Sequence, residues 1–206
     1  MLRIFHIPDF RSLRIVWLME ELGEPYELVR PAFPLDDAYR AMGGTGSVPA
    51  IVDGDIVMGE SIAILQYLTG RRLQRSMELG LTVGPNPDPA AYAEHLQFLH
   101  LGEASLMTPI TLVAITRRLA PEAEKANFTA ARCQRNFESR LAVVEQRLAD
   151  GRPHLTGEAL TIADISVGYA LHYATVRDLG ELIPPRSRAY LERLAARPAF
   201  QRAAQA

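Results

Sequence analysis

The sequence predicts a protein of the α/β plus all-α class: a βαβ-ββα domain followed by a helical bundle. Three observations predict it. Strand and helix signals alternate over the first third of the chain. A stretch dense in glycine and proline follows, with Gly80, Gly84, Pro85, Asn86, Pro87 and Pro89. From Pro89 onward strand signals give way to helical periodicity. The expected division is residues 1–77 for the α/β domain, 78–88 for a linker and 89–206 for the helical domain.

Residues 2–7 read as the first strand. Residues 12–22 read as a helix, with Leu13, Val16, Trp17 and Met19 or Glu20 at helical spacing. Gly23 is placed to end that helix, and Pro25 forbids its continuation. Tyr26-Glu27-Leu28-Val29 reads as a second strand, and a strand–helix–strand unit of this size implies parallel pairing. The apolar runs 50–52 and 56–58 suit two further strands, joined by a tight turn at Asp53-Gly54. Glu60-Ser61 then opens a segment with Ile62, Leu65 and Leu68 at helical spacing, reaching about residue 70. In the second half, residues 89–118, 126–149, 162–178 and 187–195 carry helical periodicity. Pro109 predicts a kink or break in the first of these. Thr161 and Asp164 have the spacing of a capping box, and Leu160 and Ile165 that of a hydrophobic staple.

Composition bounds the function. A net charge of −2 in 206 residues gives no electrostatic reason for nucleic acid or an acidic membrane as partner. Basic charge is almost all arginine, with Lys125 the only lysine. No continuous apolar run approaches the roughly 20 residues that cross a bilayer, and Met1–Pro8 reads as a strand and not as a signal peptide. A single cysteine, Cys133, forms no internal disulfide, so a reducing cytoplasm is expected. Cys133 falls on a helical stripe with Phe137, Leu141, Val144 and Leu148, which suits a core thiol better than a nucleophile. No Cys-x-x-Cys occurs, so no thioredoxin-type dithiol chemistry is expected. His95, His100, His154 and His172 show no ligand spacing for zinc, and no metal is expected. Gly43-Gly44-Thr45-Gly46 lacks the lysine and strand context of a phosphate loop.

The segment Ser47–Ser61 carries the most chemistry. A proline before a strand can expose the backbone of the residue before it, here Val48, for pairing. The helix that opens at Glu60-Ser61 offers N–H groups and a hydroxyl to a carboxylate. A small peptide with a free α-amino acid end fits both devices.

Val48-Pro49, a strand hairpin, then Glu60-Ser61 before a helix resembles the glutathione-site signature of the glutathione S-transferase family. Arg11–Glu27 resembles the family's first helix and second strand, and Leu160–Ile165 resembles the capping element of its C-terminal domain. The three patches span nearly the whole chain. The resemblance implies a thioredoxin-like N-terminal domain and a helical C-terminal domain. It also implies a homodimer in the cytoplasm, with glutathione as co-substrate.

The resemblance further implies that Glu60 and Ser61 hold the γ-glutamyl end and that the Val48 backbone pairs with the cysteinyl unit. It implies a cis bond at Pro49. Ser47 stands where relatives often carry a basic residue, so Arg11 or Arg40 is the alternative for the glycyl carboxylate. The thiolate-stabilising group is expected between Phe5 and Ser12, a window with no tyrosine or cysteine. The position expected to hold a serine falls at Asp9 or Phe10. Ser12 and Arg11 are the catalytic candidates, with His6 a further one and the helix N–H groups an alternative needing no side chain. Ser12 reads equally as a helix cap. Phe10 and Met107, with Glu103 and Ser105, are candidates to line an electrophile site between the domains. The expected activity is conjugation of glutathione to a small apolar electrophile. Two alternatives remain: a non-catalytic binding protein of the same fold, and another glutathione-dependent reaction such as peroxide or disulfide reduction, isomerisation or dehalogenation.

Overall fold

The structure, a computed structural model, describes residues 1–42, 46–86 and 88–206. Gly43, Gly44 and Thr45 of the glycine-rich stretch, and Pro87 of the expected linker, lie outside the described residues. The chain forms two compact units: Met1–Thr82 with Ala195–Ala206, and Val83–Leu194.

The first unit begins with β1 (Arg3–Phe5), α1 (Leu13–Leu22) and β2 (Glu27–Val29), then α2 (Asp37–Ala41). It continues with β3 (Ala50–Asp53), β4 (Ile56–Met58), α3 (Ser61–Arg71) and α4 (Leu73–Glu78). The sheet order is β2-β1-β3-β4, with β1 and β2 parallel and the other pairs antiparallel. This is the expected thioredoxin-like βαβ-ββα arrangement. Gly23 caps α1 in the left-handed conformation at φ 67°, and Gly54 turns the β3–β4 hairpin at φ 63°, conformations that glycine adopts at least cost. The short α2 has no periodic signal in the sequence. It is started by Asp36, whose carboxylate accepts from the Tyr39 N–H at 3.0 Å.

Eight of the ten residues of α1 are buried. Its far face is covered by α10 (Pro198–Ala204), the last helix of the chain. Trp17 meets Phe200 edge to face at 4.9 Å, and Arg197 grips the Glu21 carboxylate with bonds of 2.7 and 2.8 Å. The last twelve residues therefore belong with the first unit, although the sequence grouped them with the helical domain. Contacts between distant segments made this grouping, and no local periodicity encodes them.

The second unit contains α5 (Pro89–His100), a π-helical segment (Leu101–Met107) and α6 (Thr108–Leu119) in one run. It also holds α7 (Phe128–Arg147), α8 (Ile162–Val176) and most of α9 (Pro185–Ala195). Pro109 does not break the helix. The backbone widens to π geometry immediately before it, so the missing N–H of Pro109 falls where the hydrogen-bond register changes. The run Pro89–Leu119 is long and apolar enough to cross a membrane by length and composition, and half of its most apolar window is buried within the chain. That burial accounts for its composition as helix packing against α8 and α7. The capping box of α8 is complete: Thr161 accepts from the Ala163 N–H, and Asp164 accepts from the Thr161 N–H at 2.8 Å. Phe137, Leu141, Val144 and Leu148 are buried as their stripe predicts, whereas Cys133 at its start is only half-buried.

Candidate functional site

The described site lies at one end of the first unit's sheet. The β3–β4 register sets Ile51 opposite Met58. Val48 and Ser61, each three residues beyond that pair, come to the same end of the hairpin. The Val48–Pro49 peptide bond is cis, as the sequence expected. Among the described residues, Val48 makes no backbone hydrogen bond through its N–H or C=O. Val48 itself is buried in a cluster with Phe5, Tyr39, Ala50 and Val52. The hydroxyl of Tyr39 donates to the Ser47 carbonyl at 2.6 Å, which ties the loop before Pro49 to α2.

Glu60 precedes α3 with φ 62° and ψ 103°, a conformation a non-glycine residue rarely adopts. Its side chain makes no capping bond to the helix. Ser61 is the first residue of α3 and is 3% exposed. Its hydroxyl accepts from Arg14 Nη1 at 2.9 Å. Among the described residues no acceptor takes the Ser61 hydroxyl proton.

The Phe5–Ser12 window forms a tight turn into α1. Asp9 sits at φ 64°, the Phe10 N–H donates to the Ile7 carbonyl, and the Leu13 N–H to the Phe10 carbonyl. Ser12 is fully buried. Its hydroxyl accepts from the Ile7 N–H at 3.2 Å and donates to the Ile7 carbonyl at 3.3 Å. It makes no side-chain cap on α1. The turn thus occupies the Ser12 hydroxyl in both directions, which suits neither the cap nor the thiolate donor that the sequence suggested. The backbone N–H of Ser12 has no bond among the described residues. Arg11 stands beside it at the start of the helix, half-buried. His6 is buried, and burial together with the Arg30 charge lowers its pKa to about 4. It is a neutral structural imidazole at physiological pH.

The apolar candidates fall in different units. Phe10 packs on the sheet cluster and pairs with the exposed Phe33 at 5.5 Å between ring centroids. Met107 is fully buried in the π segment of the second unit, a core position and not a surface one. Arg40 is well exposed and lies 3.9 Å from the Asp37 carboxylate, a pairing weak enough to yield to another anion. Among the described residues no three of His, Cys, Asp and Glu converge to hold a metal ion.

Sequence comparison decides the family. Residues 11–71 match the glutathione S-transferase N-terminal domain, and residues 127–202 match the C-terminal domain. The chain belongs to the glutathione S-transferase family. Its two halves therefore come from the same family in the expected order, and at family level the chain is a glutathione transferase. A curated glutathione S-transferase 3 of Schizosaccharomyces pombe is 33% identical over 111 residues, which are 52% of this chain and 43% of that protein. The chain thus matches less than half of that relative's length. A glutathione transferase structure from Methylococcus capsulatus superposes with a TM-score of 0.82 at 25% identity, covering 100% of this chain and 98% of that one. A family member from Pseudomonas fluorescens, solved with two glutathione molecules bound, superposes at 0.84 with 24% identity over 98% and 92%. That last likeness bears on the fold.

Two residues of the candidate site escaped the sequence reading. Tyr39 holds the Ser47 carbonyl, and Arg14 holds the Ser61 hydroxyl. Arg14 had a signal: it is the only charge in the run Leu13–Met19. Tyr39 had none, because α2 is too short to show a period.

Proposed function

We propose that this chain binds glutathione at the Val48–Ser61 end of the sheet, stabilises its thiolate at the start of α1 and conjugates it to a small apolar electrophile. The observation that carries this reading is the shared end of the hairpin. A backbone with unmet hydrogen-bonding groups at Val48 and the open N-terminus of α3 at Ser61 stand together there. A peptide lying along Val48 presents its cysteinyl backbone to that residue. Its γ-glutamyl carboxylate then reaches the Ser61 hydroxyl and the first N–H groups of α3. Glu60, beside Ser61 and exposed, suits the ammonium group.

For the thiolate, the Ser12 N–H and the Arg11 guanidinium are the donors that the turn offers. A free thiol has a pKa of roughly 8.5, so most of it is protonated at neutral pH. A cation and an unpaired N–H at a positive helix end both favour the charged form. Phe10 and Phe33 supply an apolar surface in the same unit for an electrophile. Arg40 or Arg11 takes the glycyl carboxylate in place of Ser47. A linker role for residues 78–88, a homodimer and a cytoplasmic setting belong to the same proposal, on family grounds.

One observation favours a second reading, a glutathione-binding protein without transferase chemistry: the Ser12 hydroxyl is fully engaged by Ile7. A pH titration of thiolate absorbance for glutathione bound to the purified chain separates the two. The transferase reading expects an apparent thiol pKa well below roughly 8.5. Binding with an unshifted thiol supports the second reading, and no binding removes both.

A further inference from the structure

We propose that Arg14 is a positioning residue that makes the Ser61 hydroxyl an obligatory donor and so sets the site's preference for a free α-carboxylate. The proposal rests on the glutathione reading above and assigns to Arg14 a function exerted through Ser61.

Arg14 lies within α1, whose neighbouring residues are apolar and buried, and its own side chain is fully buried. Burying a guanidinium is unfavourable unless its hydrogen bonds and charge are used. One use is visible: Nη1 donates to Ser61 Oγ at 2.9 Å, linking two helices 47 residues apart in sequence. A guanidinium has five donors and no acceptor. Ser61 Oγ must therefore accept from Arg14, and the serine cannot return its proton to the same partner. The proton points elsewhere, and no described residue accepts it. Ser61 is at the same time 3% exposed, so bulk water is a poor substitute.

A buried hydroxyl with a committed lone pair and an unplaced proton is a donor waiting for an acceptor. A neutral amide group could also accept this bond. Charge decides between them. Arg14 brings a full positive charge to the N-terminus of α3, which already carries about half a positive charge. Both favour an anion, and a carboxylate alone satisfies the hydroxyl, the helix N–H groups and the field together. The same serine without the arginine behind it could rotate its proton freely and serve either as donor or as acceptor. Its preference for a carboxylate over an amide would then shrink.

The ratio of two affinities tests this, because general loosening of the site lowers both. Glutathione and the analogue carrying an amide in place of the γ-glutamyl α-carboxylate are titrated calorimetrically against the wild-type chain, Arg14→Gln and Arg14→Lys. The near-UV circular dichroism of Trp17 reports whether each variant keeps its fold. Wild type should prefer glutathione by about tenfold or more, the scale of one charge-assisted hydrogen bond. In Arg14→Gln the preference should fall to within about threefold, as expected once that bond and charge are gone. Arg14→Lys, which keeps the charge on a more flexible stem, should fall between. A folded variant that weakens both ligands equally, or keeps the full ratio, overturns the proposal and leaves the glutathione reading standing. A wild-type chain that binds neither ligand overturns the glutathione reading, and this inference with it. If neither variant folds, NMR of the arginine guanidinium groups in the wild-type chain decides. The Arg14 signals should shift when glutathione binds and stay in place at saturation with the amide, and equal shifts for both overturn the proposal.

Discussion

Tyr39 donates its phenolic proton to the Ser47 carbonyl at 2.6 Å, and its ring stands edge-on to Phe5 at 5.3 Å. One side chain thus fixes the loop before Pro49 to both α2 and the sheet. Tyr39→Phe keeps the ring and removes the bond. The expected stability loss is about 1 kcal/mol, the usual net value of a hydrogen bond. Glutathione affinity should fall several-fold, because Ser47 and Val48 lose their anchor. Urea unfolding and calorimetry read the two effects separately. Unchanged affinity would show that the loop is held by other means.

Ser12→Ala should act on the fold and leave the thiol alone. Its hydroxyl closes the Ile7–Ser12 turn with one accepted and one donated bond. Losing a buried pair of this kind should lower stability by roughly 1–3 kcal/mol. The thiol pKa of bound glutathione should move little, whereas Arg11→Ala should raise it. A raised thiol pKa in Ser12→Ala at normal stability would restore Ser12 as the thiolate donor.

Asp164 does more than complete a capping box. Its carboxylate is fully buried and accepts from the Thr161 N–H, the Thr161 hydroxyl, the Leu155 N–H and the Tyr190 hydroxyl, all at 2.8–2.9 Å. An ordinary cap contributes about 1 kcal/mol. Asp164→Ala strands several buried donors at once and should cost about 3–5 kcal/mol. Thr161→Ala should cost far less. Similar losses for the two in chemical denaturation would mean that the bonds from Leu155 and Tyr190 contribute little.

Stability should fall in mild acid. Burial, first of all, lowers the pKa values of His6 and His95 to about 4 in the folded chain. In the unfolded chain the same groups protonate near 6.5. Between those values the unfolded state binds more protons, so stability rises with pH there. The contribution of each histidine is whole above about pH 6.5 and is lost as pH falls towards 4, at roughly 1 kcal/mol per pH unit. His6→Asn and His95→Asn should each flatten this slope in urea midpoints measured from pH 7 to pH 4. A slope unchanged in both variants would place the acid sensitivity elsewhere.

The βαβ-ββα order, the Asp53-Gly54 turn, the Gly23 cap and the Thr161–Asp164 box were all legible, because each is written in a few neighbouring residues. The cis bond at Pro49 was legible too, and the order and spacing of Val48, Pro49, Glu60 and Ser61 form the motif that marks the candidate site. The short helices α2, α4 and α10 were not, since five to seven residues carry too little period to stand out. Met107 and Ser12 show a different limit. Both sit at plausible positions in the sequence, yet burial puts Met107 in the core, and the Ile7 backbone takes the Ser12 hydroxyl.

The sequence by itself determined the class of fold, the family and the end of the sheet where glutathione chemistry is expected. Local propensities and a spaced motif suffice for those. Tertiary structure alone decided which polar groups are occupied and which remain available. Arg14 meets Ser61, Tyr39 meets Ser47 and Arg197 meets Glu21 across 47, 8 and 176 residues of chain. A hydrogen bond depends on positions to within a few tenths of an ångström, and for pairs this far apart that precision exists only once the helices have packed.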